Sequence, residues 1–241
     1  MNDTSVADMI PVPARGWQIT RSHALLAGVL CWIGFAAIAW MVHAGAGQAI
    51  DAAGLRYWRS GAALGWNGGR NSLEAVRDIT ALGGVTLRVV FSIAALGGLL
   101  FLNLRREAVL LLLTLLSGLL VELSIKALVG RPRPSLVPHL DYAGGSSFPS
   151  GHSFNSALGF IAVALAFATL SSRRSVRWTL ILSAAAGSLA VAFSRVMLGV
   201  HYPSDVAAGW LGGAGWAFLA GAALYRPARQ LAEVAAPISD A

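Results

Sequence analysis

The chain is 241 residues long, 56% hydrophobic and only 12% charged, with a formal charge of +7. A charge content about half that of a soluble globule excludes a water-facing surface over most of the fold. The basic residues are scattered singly or in pairs between apolar blocks, not gathered on one stripe, so no nucleic-acid partner is expected.

In chain order, a tail of polar and mixed residues, 1–22, precedes the first apolar run. No small-residue cleavage site follows that run, so it is expected to be a retained anchor rather than a signal peptide. Apolar stretches near the roughly 20 residues needed to cross a bilayer are placed around 24–44, 82–102, 108–128, 152–170, 178–198 and 204–224. Between the first two lies a long connection, 45–81. In it Asn71 followed by Glu74 resembles a helix start, and Leu73, Val76 and Ile79 give an apolar side. With Trp58 and Trp66 nearby, this segment is expected to lie along the outer membrane interface, where it could gate a lipid headgroup. A second tail, 226–241, closes the chain. The fold class predicted is all-α: one polytopic membrane domain, residues 23–225, of six transmembrane helices with an active site at one membrane face. Cys31, the only cysteine, falls inside an apolar run, which excludes an intrachain disulfide and a cysteine metal site.

Arginines in the short connections set the orientation. Arg15, Arg21, Arg105, Arg106, Arg173, Arg174, Arg177, Arg226 and Arg229 fall on one side of a six-span chain, which the positive-inside rule makes cytoplasmic. Eight of the other nine basic residues fall opposite, but four of those lie in the long connection 45–81, and Lys126, Arg133 and Arg195 have another use. Both tails are therefore expected in the cytoplasm of a bacterial inner membrane protein, with the site facing the periplasm or outside.

Lys126 is the one lysine beside seventeen arginines, and it stands at the end of the third span. Arg133-Pro134 follows it. Pro149-Ser150-Gly151-His152 opens the fourth span, Ser194-Arg195 closes the fifth, and His201-Tyr202-Pro203-Ser204-Asp205 opens the sixth. Six spans bring all of these to one membrane face.

Their chemistry suits a phosphate ester. His201 and Asp205 are four apart at a helix start, so the carboxylate can reach back to the imidazole, hold one ring nitrogen protonated and leave the other free to attack phosphorus. His152 could protonate the departing alkoxide and then activate water. Ser150, the Gly151 N–H and the start of the fourth span form an anion site of the helix-terminus kind. Lys126, Arg133 and Arg195 complete the cradle. Glu122, one turn before Lys126 within a span, is expected to pair with it and position it. His23, His43 and His139 are read as interfacial polar groups, Arg131 as a solvent or headgroup contact, and Arg88 is given no role.

These three clusters resemble the signature of the type 2 phosphatidic acid phosphatase superfamily. Lys126 with Arg133-Pro134, residues 149–152, and Ser194-Arg195 with His201 and Asp205 match its three parts in order and spacing, at eleven fixed positions. Each position would be met by chance about one time in fifteen to twenty. The resemblance implies His201 as nucleophile, Asp205 as its partner, His152 as acid and base, and the remaining motif residues as phosphate ligands. It also implies that no metal is needed, and the sequence offers no carboxylate or cysteine cluster to hold one, so no cofactor is expected.

A phosphate site at headgroup depth favours a membrane lipid phosphate as substrate. The short loops suggest undecaprenyl diphosphate, phosphatidylglycerophosphate, phosphatidic acid or a lipid A phosphate. Two alternatives fit some of the same residues: a phosphotransferase from a lipid diphosphate to a lipid acceptor, and a lipid or anion transporter. Transport would better suit polar residues at the midplane or an inverted repeat, and neither is present. The sequence says nothing of oligomeric state.

Overall fold

With no water in the hydrocarbon to pair backbone groups, apolar runs of this length close as helices. The computed structural model describes residues 21–168, 170, 171 and 173–224, so the tails, with Arg15, Arg226 and Arg229, lie outside the described residues except for Arg21 and Ser22, which were expected in the first tail and instead open α1. In order the elements are α1 (Arg21–His43), α2 (Gln48–Arg56), β1 (Arg59–Ser60), β2 (Gly65–Trp66), α3 (Arg70–Ala81), α4 (Val85–Phe101), α5 (Arg105–Val129), α6 (Gly151–Ala168), α7 (Arg174–Met197) and α8 (Pro203–Leu224). Among the described residues, helices α1, α5, α6, α7 and α8 are each long and apolar enough to cross a membrane, and α4 joins them as a sixth when counted with α3, from which it is bent by 48° at a short break. The chain is thus an all-α, multi-pass membrane protein. The second span differs from its expected form: the helix starts at Val85, because Gly83 and Gly84 interrupt it after α3.

Helix α6 is the axis of the bundle. Its apolar stretch is 61% buried, against 11% for α1, whose Leu26, Leu30, Ile33 and Trp40 are exposed on the outside of the bundle. Around Phe154 and Leu158 of α6 pack Leu111 of α5, Leu99 of α4 and Ala217 of α8. Lipid tails are as apolar as leucine, so helices gain little by burying apolar surface and associate through close approach and hydrogen bonds. A Cβ on Gly213 of α8 would fall 2.0 Å from the Phe154 carbonyl oxygen, so only glycine allows this crossing. Trp216 donates to Ser117 of α5 and Trp210 to Ser188 of α7, both at 3.0 Å.

Over the end of the bundle where α5 and α7 finish and α6 and α8 begin lie α2, the β1–β2 hairpin, α3 and the loop 130–150. The hairpin pairs Arg59 with Trp66 in antiparallel register. Arg59, 7% exposed, donates to the Met197 carbonyl at 2.8 Å, where the α7 dipole favours a cation. Val76 of α3 is buried with Leu198 and Val200, with Leu73 alongside, whereas Ile79 is 37% exposed. The inward side of α3 is therefore Leu73, Val76 and Thr80. Its start is set by Gly69, not Asn71, and Glu74 pairs with Arg70 at 3.1 Å. Arg77 donates to the Leu140 carbonyl at 2.8 Å, tying α3 to the 130–150 loop.

Candidate active site

His201 sits between the end of α7 and the start of α8, 2% exposed, at the centre of the polar cluster. Arg133 donates to its Nε2 at 3.0 Å. A guanidinium has no acceptor, so Nε2 accepts and the proton of the neutral ring is on Nδ1. Nδ1 faces Asp205, but Oδ2 is 3.7 Å away, beyond hydrogen-bond length. Ser147, fully buried, fills that gap: its hydroxyl donates to Asp205 Oδ2 and lies 3.4 Å from Nδ1. Asp205 Oδ2 also accepts from the Tyr202 N–H at 3.0 Å. Burial pushes the His201 imidazole down to about 4; the nearby Asp205 carboxylate opposes this and the Arg133 charge adds to it. The ring is neutral at physiological pH, with one nitrogen carrying a lone pair.

Arg133 spreads its fork over the roof of the site. Nε donates to the Gly145 carbonyl at 3.1 Å, one terminal nitrogen to Gly144 at 2.6 Å and the other to Val200 at 2.9 Å. Lys126, at the end of α5, bonds the Ser146 carbonyl at 3.1 Å and pairs with Glu122 at 3.4 Å. Glu122 is 3% exposed within the bundle. Gly151, first residue of α6, abuts that pair: a Cβ there would fall 2.9 Å from Glu122 Oε1, so a larger residue would displace the carboxylate. Ser150 is fully buried and occupies the position before α6. Its N–H bonds the Asp205 carbonyl at 3.0 Å, its carbonyl accepts from Phe154 at 2.9 Å, and its hydroxyl accepts from Ser153 at 3.0 Å. The Ser150 amide is therefore committed, and the unpaired first-turn amides begin at Gly151.

Arg195 is 1% exposed and donates to Thr80 of α3 at 2.8 Å and to Asp141 at 2.7 Å. Its Nε is buried without an acceptor. A buried guanidinium N–H with no partner is costly to leave unpaired, and a phosphate oxygen is the acceptor that would suit it. His152 opens α6 beside the α3–α4 break, where a Cβ on Gly83 would fall 3.3 Å from its ring. Arg195, His201, Asp141 and Arg88 act on it electrostatically. Arg88, given no role from sequence, also acts on Glu122. His139 is turned to the Pro134 carbonyl at 2.7 Å, away from the cluster.

All of Lys126, Arg133, Ser150, Gly151, His152, Arg195, His201 and Asp205 thus stand at one end of the bundle: Arg133 is bonded to His201 and Ser150 to Asp205, Lys126 pairs with Glu122 against Gly151, and Arg195 with Asp141, while His152 is tied to them only electrostatically. Arg131 departs from its expected place. It is no solvent contact: its guanidinium pairs with Asp205 Oδ1, with Asp51 at 2.8 Å and with the Ser204 hydroxyl at 2.8 Å, and lies over the Tyr202 ring at 4.1 Å. Burial alone would lower it, but Asp205 and Asp51 outweigh burial and hold it above its ordinary value. Ser147, Asp51, Thr80 and Asp141 were not identified as site residues. For Ser147 the one available signal was its place three residues before Ser150 in the same loop.

The pattern of the PAP2 superfamily matches residues 107–228. Among characterised proteins, the chain is 39% identical over 118 residues to the lipid A 1-phosphatase of Rhizobium etli, covering 45% of this chain and 46% of that protein. It is 30% identical over 143 residues to phosphatidylglycerophosphatase B of Bacillus subtilis, covering 57% and 68%. The match with the lipid A enzyme therefore spans about half of that relative's length. The crystal structure of a transmembrane PAP2-type phosphatidylglycerolphosphate phosphatase from Bacillus subtilis superposes with a TM-score of 0.72 at 25% identity, over 88% of this chain and 98% of that one.

Proposed function

Because this chain belongs to the PAP2 superfamily, we propose that it is a membrane lipid phosphatase working through a phosphohistidine on His201, without a metal. The observation that carries the proposal is the buried, neutral His201, with Nδ1 turned to Ser147 and Asp205 and Nε2 held by Arg133. An incoming phosphate draws the Arg133 fork onto its oxygens and uncovers the Nε2 lone pair. Nε2 attacks phosphorus, the N–P bond forms and the ester P–O bond breaks. His152, holding the extra proton as imidazolium beside the bound phosphate anion, gives that proton to the leaving oxygen, then takes one from water as that water attacks the phosphohistidine. Inorganic phosphate leaves and both histidines return to their starting states.

The phosphate cradle consists of Lys126, Arg133, Arg195, the Ser150 hydroxyl and the α6 amides from Gly151. Supporting this, Lys126 keeps one N–H beyond its two bonds, and the Arg195 Nε has no other acceptor. Preorganised donors of this kind act where charge develops in the transition state. The substrate is a lipid phosphate of the undecaprenyl diphosphate, phosphatidylglycerophosphate, phosphatidic acid or lipid A type. The relatives named above act, by their names, on lipid phosphates, and a site at the end of a transmembrane bundle meets such a headgroup at its own depth. The arginines of the short connections support a bacterial inner membrane with the site on the periplasmic side.

Phosphate release from a panel of these lipids by purified protein in excess chelator, beside His201→Ala, tests the proposal. Turnover of at least one lipid with chelator present, abolished in the variant, is expected. A metal requirement, or wild-type turnover in His201→Ala, overturns it.

A further inference from the structure

Asp51 belongs to none of the motif clusters, yet it is 2% exposed and fully bonded. It lies on α2, within the long connection after α1. Its Oδ1 accepts from the Ser204 N–H at 2.9 Å, and its Oδ2 accepts from the Ser204 hydroxyl at 2.7 Å and from Arg131 at 2.8 Å. The other terminal nitrogen of Arg131 donates to Asp205 Oδ1. One planar fork thus bridges two carboxylates, with its face on Tyr202 at 4.1 Å. Both Arg131 terminal nitrogens are taken by carboxylates, which would repel an anion, so Arg131 is poorly placed to hold phosphate. What it holds is Asp205, on the oxygen opposite the one facing His201.

We propose that Arg131, anchored by Asp51, is a positioning residue that fixes the Asp205 carboxylate and through it the tautomer and orientation of the His201 ring. This rests on the reading of His201 as nucleophile. A carboxylate free to rotate would offer Nδ1 a changing partner, while one pinned at Oδ1 keeps Oδ2 toward Ser147 and Nδ1. Asp51 also bonds the first-turn amide of α8 at Ser204, so the same side chain seats the helix that carries Asp205. The interfacial α2 segment is thereby joined to the reacting histidine through two ion pairs.

The charge of Arg131 has a consequence that packing alone lacks. His201 faces Asp205 on α8, Arg133 and Ser147 in the 130–150 loop, Arg195 on α7 and His152 on α6. With Arg131 neutralised, Asp205 is less balanced and favours the imidazolium, so His201 rises from about 4 toward its ordinary range. The other groups are unchanged.

Arg131→Gln, Arg131→Lys, Asp51→Asn and the double variant Arg131→Gln/Asp51→Asn are purified in detergent. Their kcat, KM and pH profiles are measured on a short-chain phosphatidic acid, with melting curves for folding and His201→Ala in parallel. Arg131→Gln should lower kcat about 10- to 100-fold with KM within about twofold, and move the acid limb of kcat/KM upward. Arg131→Lys, which keeps the charge but serves one carboxylate well, should lower kcat and leave the limb in place; it carries the test if the glutamine variant does not fold. Asp51→Asn should cost less, and add nothing in the Arg131→Gln background. A raised KM with kcat retained would make Arg131 a substrate ligand and overturn the proposal, as would an unmoved acid limb in Arg131→Gln or additive losses. Wild-type turnover in His201→Ala would remove the underlying nucleophile reading; loss there with a fully active Arg131→Gln would remove only the positioning role.

Discussion

Removing the Ser147 hydroxyl isolates the link between Asp205 and His201. The carboxylate and Nδ1 are 3.7 Å apart, and the serine spans that gap with a bond to Asp205 Oδ2 and a 3.4 Å contact to Nδ1. Ser147→Ala deletes one hydrogen bond to a charged acceptor in a fully buried site, worth about 1.5–3 kcal/mol. The longer contact adds little. Asp205 has less than 1 Å to travel for a direct bond, but Arg131 on Oδ1 and the Tyr202 N–H on Oδ2 resist that movement. At about 1.4 kcal/mol per tenfold, kcat should fall roughly 10- to 100-fold. KM should change little, because Ser147 lies on the side of His201 away from Nε2. Steady-state phosphate release from a short-chain lipid phosphate in detergent, with a melting curve to confirm folding, measures both. A kcat within about twofold of wild type in a folded variant would show that Asp205 holds the imidazole unaided, and would refute the bridging role.

Other predictions follow from the same geometry. A His201 held at about 4 stays neutral in mild acid: at pH 5.5 the unprotonated fraction is about 97%, against about 9% at the ordinary 6.5. The acid limb of kcat/KM, corrected for ionisation of the substrate phosphate, should therefore fall near pH 4, and a limb at 6.5 would contradict this burial effect. Lys126→Arg should lose most activity despite keeping charge, because the larger fork cannot fit between Glu122 and the Ser146 carbonyl; Glu122→Gln should lose less, and unchanged kinetics in both would return the pair to a helix-end role. Gly213→Ala places a Cβ 2.0 Å from the Phe154 carbonyl oxygen, and the strain of prying α6 from α8, about 1–3 kcal/mol, should appear as a lower melting temperature in detergent.

Much of this site was readable in the sequence, for a simple reason. Alternating spans force the ends of α5 and α7 and the starts of α6 and α8 to one face, so motifs far apart in the chain converge without any knowledge of packing. The Glu122–Lys126 pair was readable too, since an i,i+4 spacing fixes neighbours on a helix. What escaped depends on contacts between segments whose separation carries no period. Arg131 and Asp51 are 80 positions apart and Arg195 and Thr80 115 apart, and nothing local marks either as a pair. Arg131 was misplaced because it stands beside Arg133 in a loop whose course over α8 is set by the roof. The second span, expected over 82–102, forms a single helix from Val85, and the helix expected before it in the long connection is separate as α3; the 48° angle between the two falls at Gly83 and Gly84, where α3 turns to lie across α7.

The proposed nucleophile is tested most directly by quenching the protein during turnover of a lipid phosphate labelled at phosphorus and locating the label on the chain. The account predicts a base-stable, acid-labile label on His201, absent from His201→Ala and accumulating in His152→Ala, where water attack is impaired. Label on another residue, or wild-type turnover with His201 unlabelled and burst kinetics absent, would contradict it.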